Sequence, residues 1–184
     1  ESCSSDAAAD EALASFVESV AVFKDPATDA PRLACASGKK VLVFDPVAGG
    51  EALLALDFNC WRLAVFKEPA TSAPRLACAS GKKVSVFDAV SGGDALLVLD
   101  VGSGVRGLVA FKDLETGAPR LASVSKDNKV RVFDPVAASE ALFVLEGHTG
   151  DVNALTAFKD PATGEPRLVS GSSDVRVWNP AAGD

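Results

Sequence analysis

The chain has no Met and no Tyr, one His, two Trp and four Cys in 184 residues. Each scarcity closes off a class of function. Structural zinc wants four Cys or His ligands at close spacing. Cys3, Cys35, Cys60 and Cys78 form no Cys-x-x-Cys pair, and His148 is the single imidazole, so no metal and no cofactor is expected. Positive charge is short: 18 Lys and Arg stand against 25 Asp and Glu, a net charge of −7. General nucleic-acid binders carry a basic surplus, so no nucleic acid is expected as a partner. No apolar run approaches the roughly 18 residues that can span a bilayer, and no secretory signal is visible. Direct membrane insertion is therefore not expected. The chain opens on Glu1, which fits a processed N-terminus or a start inside a longer product. Compartment stays unassigned, with an intracellular setting favoured over secretion. No glycine-rich loop leads from a strand into a helix, so the nucleotide fingerprint is missing too.

What is present is repetition. Apolar residues make up 48% of the chain, and they recur with a period. Phe-Lys appears at Phe23, Phe66, Phe111 and Phe158, at spacings of 43, 45 and 47 residues. Each copy continues into a turn rich in Pro, Thr and Gly that ends in Pro-Arg, at Arg32, Arg75, Arg120 and Arg167. Pro and Gly at such positions punctuate chain reversals. A short apolar segment follows, then a polar turn, then an alternating stretch: Val41 to Phe44, Val84 to Phe87, Val130 to Phe133 and Val175 to Trp178. Val and Phe at period two predict half-buried strands. A fourth strand is predicted over Glu51 to Leu56, Asp94 to Leu99 and Glu140 to Leu145. Four short strands at a period near 45 residues predict one blade of a β-propeller per repeat.

The fourth copy carries a family resemblance. Leu145-Glu146-Gly147-His148, then Leu168-Val169-Ser170-Gly171, then Val175-Arg176-Val177-Trp178-Asn179 resembles a WD repeat, with Trp-Asn in place of Trp-Asp. The resemblance is strongest in residues 140–184 and degenerate in the earlier copies. It implies an all-β chain with four WD-like blades, each a four-stranded antiparallel sheet. The expected layout is a tail over residues 1–9 and a propeller over 10–184, with repeats at about 11–50, 51–93, 94–139 and 140–184. The family's buried hydrogen-bonded tetrad maps onto His148, Ser170, Asp174 and Trp178, with Asp174 closer to the Trp than the family pattern places it. The other copies have no His and replace Trp with Phe44, Phe87 and Phe133. Asp10 to Phe16 matches Gly50 to Leu56, so the first strand is expected to complete the last blade and remove two sheet edges. Four blades is few for this family. A closed four-blade ring, a piece of a longer propeller, and the pairing of two halves all remain open, so the chain is a monomer or half of a paired propeller.

Candidate functional residues follow from this layout. His148 and the paired strand positions Cys35 and Cys78 are expected to be structural rather than catalytic. Asp25 and Asp29 are expected to be solvated turn residues. The turns between second and third strands, which share one face with the loops that enter each blade, bear Lys39, Lys40, Lys82, Lys83, Lys126 and Lys129. Arg62 and Arg106 lie nearby, and one loop carries Phe58 and Trp61. These residues are the candidates for a protein partner, acidic in character, on that top face. The plainer alternatives are a solvated rim of lysines and a Trp61 that plugs the channel. The function expected is a non-catalytic interaction scaffold, or a small structural subunit of a larger assembly. The alternative is a ligand-binding or enzymatic propeller with its site in the central channel.

Overall fold

A computed structural model describes residues 16–137, 140–180 and 183. Fifteen strands and no helix occur among these residues. The first sheet holds β1 (Ser19–Lys24), β2 (Pro31–Ser37), β3 (Lys40–Phe44) and β4 (Leu54–Leu56). The second holds β5 (Arg62–Lys67), β6 (Pro74–Ser80), β7 (Lys83–Asp88) and β8 (Gly92–Asp100). The third holds β9 (Val105–Lys112), β10 (Pro119–Ser125), β11 (Val130–Phe133) and β12 (Ala141–Leu145). The fourth holds three described strands, β13 (Ala154–Lys159), β14 (Pro166–Gly171) and β15 (Val175–Trp178). All neighbours are antiparallel and follow chain order. The architecture is an all-β, four-bladed propeller, as the period predicted.

Alternation decides which blade each side chain meets. Successive strand residues point to opposite faces of a sheet. In β5, Ala64 and Phe66 face the third blade, where they join Val84, Val86, Leu99, Leu121 and Phe133. Leu63 faces the first blade, with Phe23, Val41, Val43 and Leu76. A third cluster, with Val130, Val132, Leu168 and Trp178, lies between blades three and four. Each fully buried Val, Leu or Phe contributes roughly 1.5–3 kcal/mol, so the interblade seams hold the stack together. At the inner end of the third seam sits Gly107, where a Cβ would stand 2.7 Å from the Val124 side chain and 3.3 Å from that of Leu155. The missing side chain lets β9 and β13 approach.

Polar residues close the bottom of blades one to three in a way the repeat pattern does not announce. Asp25 caps its turn by accepting hydrogen bonds from the Ala27 and Thr28 amides, while its other oxygen accepts from Arg32 at 3.0 Å. Arg32 also reaches Asp45 at 3.0 Å, and Asp45 caps the next turn through the Val47 and Ala48 amides. One guanidinium thus ties the first turn of the blade to the third. Arg75 does the same between Glu68 and Asp88, and Arg120 lies between Asp113 and Asp134. Planar, forked guanidinium suits two carboxylates at once. Asp25 is therefore a half-buried structural residue, which corrects the expectation that it is simply solvated. Asp29 is exposed, pairs with Lys24 and takes a left-handed φ of 58°.

The stack runs in chain order. Inner strands β1 and β5, β5 and β9, and β9 and β13 pack against each other. No comparable packing joins β13 back to β1 among the described residues. The strand expected to complete the last blade, Glu11 to Phe16, lies outside the described residues apart from Phe16, which is exposed and extended from no sheet.

Candidate functional site

The fourth blade brings the four tetrad candidates into one hydrogen-bonded chain. Trp178 Nε1 donates to Ser170 Oγ at 2.7 Å. Ser170 Oγ lies 2.6 Å from His148 Nε2, and His148 Nδ1 meets the Asp174 carboxylate. With the imidazole proton on Nδ1, every donor has one acceptor: indole to hydroxyl, hydroxyl to imidazole, imidazole to carboxylate. The His148 hydrogen bond holds Asp174 below the usual carboxylate range, against the opposing effect of burial, and Arg176 adds to it. The short spacing from Asp174 to Trp178 is accommodated by a tight turn, closed by the Ser172 amide on the Asp174 carbonyl.

Ser–His–Asp connectivity is also that of a hydrolase triad, so the burial matters. Ser170 is fully buried and the His148 side chain is inaccessible. The indole N–H already occupies the hydroxyl that would attack. A nucleophile needs a cleft in which substrate can reach it, and this serine has none. The arrangement locks the turn before β13 to β14 and β15.

The upper ends of the blades are held together by backbone bonds. Cys60 N donates to Gly38 O, Trp61 N to Ala79 O, Val105 N to Gly81 O and Lys126 N to Gly104 O. These bonds put the loops entering each blade beside the turns between second and third strands. The lysine-bearing turns and the Trp61 loop therefore share one face. Lys39, Lys82, Lys83 and Lys126 are exposed there and form no ion pair among the described residues. Lys40 stands 4.0 Å from Asp57, and Lys129 pairs with Glu146 at 2.6 Å. Trp61 is 49% exposed. Its neighbours hold it in place: Arg62 donates to the Trp61 carbonyl at 2.7 Å and to the Arg106 carbonyl at 2.8 Å.

Three sequence candidates sit differently from expectation. Phe58 is half-buried, with its ring 4.9 Å from Phe87 in an edge-to-face contact, so its apolar area serves the seam between blades one and two. Arg62 is committed to carbonyls and to Glu18 at 3.9 Å, and Arg106 is half-buried. Arg62 braces the inner strands through these contacts, while Arg106 contributes its carbonyl to the same brace. Nothing along the chain announces this, because exposed and bracing arginines look alike without the third dimension.

Cys35, Cys60 and Cys78 are buried free thiols. Hydrogen bonding to Cys60 and burial push the Cys78 thiol well above its usual value, and burial pushes Cys35 up. Raised thiols of this kind are poor nucleophiles. At the opposite end of the inner strands a cavity of about 320 Å³ is lined by Phe23, Phe66 and Phe111 and rimmed by Lys24, Lys67 and Lys112. No cluster of His, Cys, Asp and Glu able to hold a metal occurs among the described residues. Among them, no helix is long and apolar enough to cross a membrane.

Comparison with known proteins follows the geometry. No curated protein sequence matches the chain. Residues 139–179 match the family described as WD domain, G-beta repeat. Among solved structures, the chain resembles one from the Chaetomium thermophilum Polycomb Repressive Complex 2, with TM-score 0.70, 20% identity, and coverage of 95% of this chain and 39% of that one. It also resembles Saccharomyces cerevisiae Sqt1, with TM-score 0.68, 16% identity, and coverage of 91% and 46%. A third likeness is to BBS1N, solved in complex with ARL6DN, with TM-score 0.68, 16% identity, and coverage of 91% and 53%. The chain spans about half the length of these structures or less, and at such identities the likeness is one of fold. With the hydrogen-bonded chain built in blade four and the propeller layout throughout, residues 139–179 are similar to a WD40 repeat and the chain has a β-propeller fold.

Proposed function

We propose that this chain is a non-catalytic, intracellular interaction scaffold whose top face, centred on Trp61, receives an acidic protein partner. The observation that carries the reading is the half-exposed indole on a braced backbone. A rigid aromatic offers large apolar area at little entropic cost, and Trp is enriched among interface hot spots. Lys39, Lys82, Lys83 and Lys126 surround the same face with charge that is unpaired among the described residues, on an otherwise acidic chain. Such charges steer encounter more than they set final affinity. Two of the resembling structures are protein complexes, which agrees with a scaffold, although fold does not by itself set function. The buried Ser170 and the raised thiols favour a non-catalytic chain.

The test is a binding measurement on the partner captured by the wild-type chain. Trp61→Ala should weaken the complex by roughly 2 kcal/mol or more, about 30-fold. Exchanging Lys39, Lys82, Lys83 and Lys126 for Gln should flatten the salt dependence of the association rate. Unchanged affinity in Trp61→Ala, with an unchanged melting curve, would refute the assignment.

A further inference from the structure

The repeat builds a second concave surface, at the end of the blades away from Trp61. Inner strands β1, β5 and β9 finish in one register: Lys24, Lys67 and Lys112 each close their strand opposite a proline, at Pro31, Pro74 and Pro119. Around these strand ends lies the cavity of about 320 Å³, and every residue that lines it belongs to blades one to three. Its size falls at the small end of the roughly 300–1,000 Å³ typical of ligand pockets. The wall is apolar. Phe23, Phe66 and Phe111 line it, and Val65, Ala110 and two of the prolines complete it. The rim is cationic, since all three lysines are exposed there. Each lysine is followed at once by an acid, Asp25, Glu68 or Asp113. Those carboxylates do not neutralise the rim, because Arg32, Arg75 and Arg120 hold them in the clamps. Lys24 pairs with Asp29, whereas Lys67 and Lys112 form no ion pair among the described residues.

We infer that this cavity binds a small anionic amphiphile, a medium-chain monocarboxylate, with its tail against the phenylalanines and its carboxylate between Lys67 and Lys112. Burial of the tail removes apolar surface from water, on both the ligand and the wall. The lysine stems extend that wall, while their ammonium groups stay at the wet mouth. Two free cations on an apolar cup select for a ligand that is apolar at one end and negative at the other. A carboxylate without a tail gains nothing from the wall. A tail without negative charge leaves the ammonium groups unmatched. The volume is that of a small molecule rather than of a folded partner. The cavity and the Trp61 face lie at opposite ends of the blades, so this inference and the top-face reading stand or fall separately.

The test is isothermal titration calorimetry of the full chain with decanoate. Saturable binding at a single site is expected, with amide shifts in heteronuclear NMR at Phe66, Ala110 and Phe111 and none at Trp61. Decanol and decyltrimethylammonium carry the same tail and should bind at least about tenfold more weakly, as loss of a charge-assisted contact implies. Acetate should not bind. Lys67→Glu combined with Lys112→Glu should weaken decanoate by at least about tenfold and leave the melting curve unchanged, since both side chains are exposed. Lys82→Glu combined with Lys83→Glu, at the other end of the blades, controls for net charge and should bind decanoate as the wild type does. Absence of saturable decanoate binding overturns the proposal. So does equal affinity for decanol, and so does a Lys67 and Lys112 double variant that binds as tightly as the wild type.

Discussion

Ser170 and Ser123 hold the same place in successive repeats, and the structure gives them opposite roles. Both are fully buried on the central strand of the first three in their blades. Ser170 Oγ accepts from Trp178 and donates to His148, whereas Ser123 Oγ has no hydrogen-bond partner among the described residues. Ser170→Ala strands two buried groups, the indole N–H and the imidazole Nε2. Each stranded group costs about 1–3 kcal/mol, so the substitution should destabilise by about 2–6 kcal/mol. At roughly 2–4 °C per kcal/mol for a chain of this size, Tm should fall by at least about 4 °C. Ser123→Ala removes a desolvated hydroxyl that repays nothing, and should be neutral or stabilising by about 1 kcal/mol. Urea unfolding followed by circular dichroism measures both, provided the slope of the transition is unchanged. Equal effects of the two substitutions, within error, would refute the view that blade four depends on its hydrogen-bonded chain while blade three depends on apolar packing.

Acid should unfold the protein through its turn carboxylates. Burial raises Asp127, but hydrogen bonds from Arg131 and Ser125 outweigh it and hold the group at about 2. Asp25, Asp45, Glu68, Asp88, Asp113, Asp160 and Asp174 are also held below their ordinary values of 3.8 or 4.5. A lowered carboxylate stabilises the fold above its unfolded value, and that contribution disappears as pH falls through the folded one. The urea midpoint should stay level from about pH 7 to about pH 5 and decline from there toward about pH 2; a level profile throughout would contradict the ion-pair reading. Arg32→Lys cannot span Asp25 and Asp45 with one ammonium and should cost about 1–2 kcal/mol by the same unfolding assay; no change would mean the bridge is incidental. Maleimide labelling of the native chain, mapped by mass spectrometry, should leave Cys35 and Cys78 unmodified until unfolding, and rapid native labelling would contradict their burial.

Much of the fold was legible along the chain because its causes are local and repeated. The spacing of Phe23, Phe66, Phe111 and Phe158, the alternating Val-x-Val-Phe stretches and the Pro-Ala-Thr turns are properties of neighbouring residues. They determined four blades of antiparallel strands without any knowledge of packing. The tetrad in blade four was also readable, since Gly147-His148 and Val177-Trp178 carry it in their types and order. Tertiary structure decided the rest. Whether Arg62 displays its charge or braces a carbonyl 44 residues away depends on how β5 and β9 approach. Whether Phe58 is an anchor or a core ring depends on Phe87, which arrives from a different strand. The clamp at Arg32 joins Asp25 and Asp45, both ordinary turn residues until the sheet folds them together. The open faces at Val20 and Val177 were invisible for the same reason. Their sequence is that of buried repeats, and only the arrangement of whole blades leaves them exposed among the described residues.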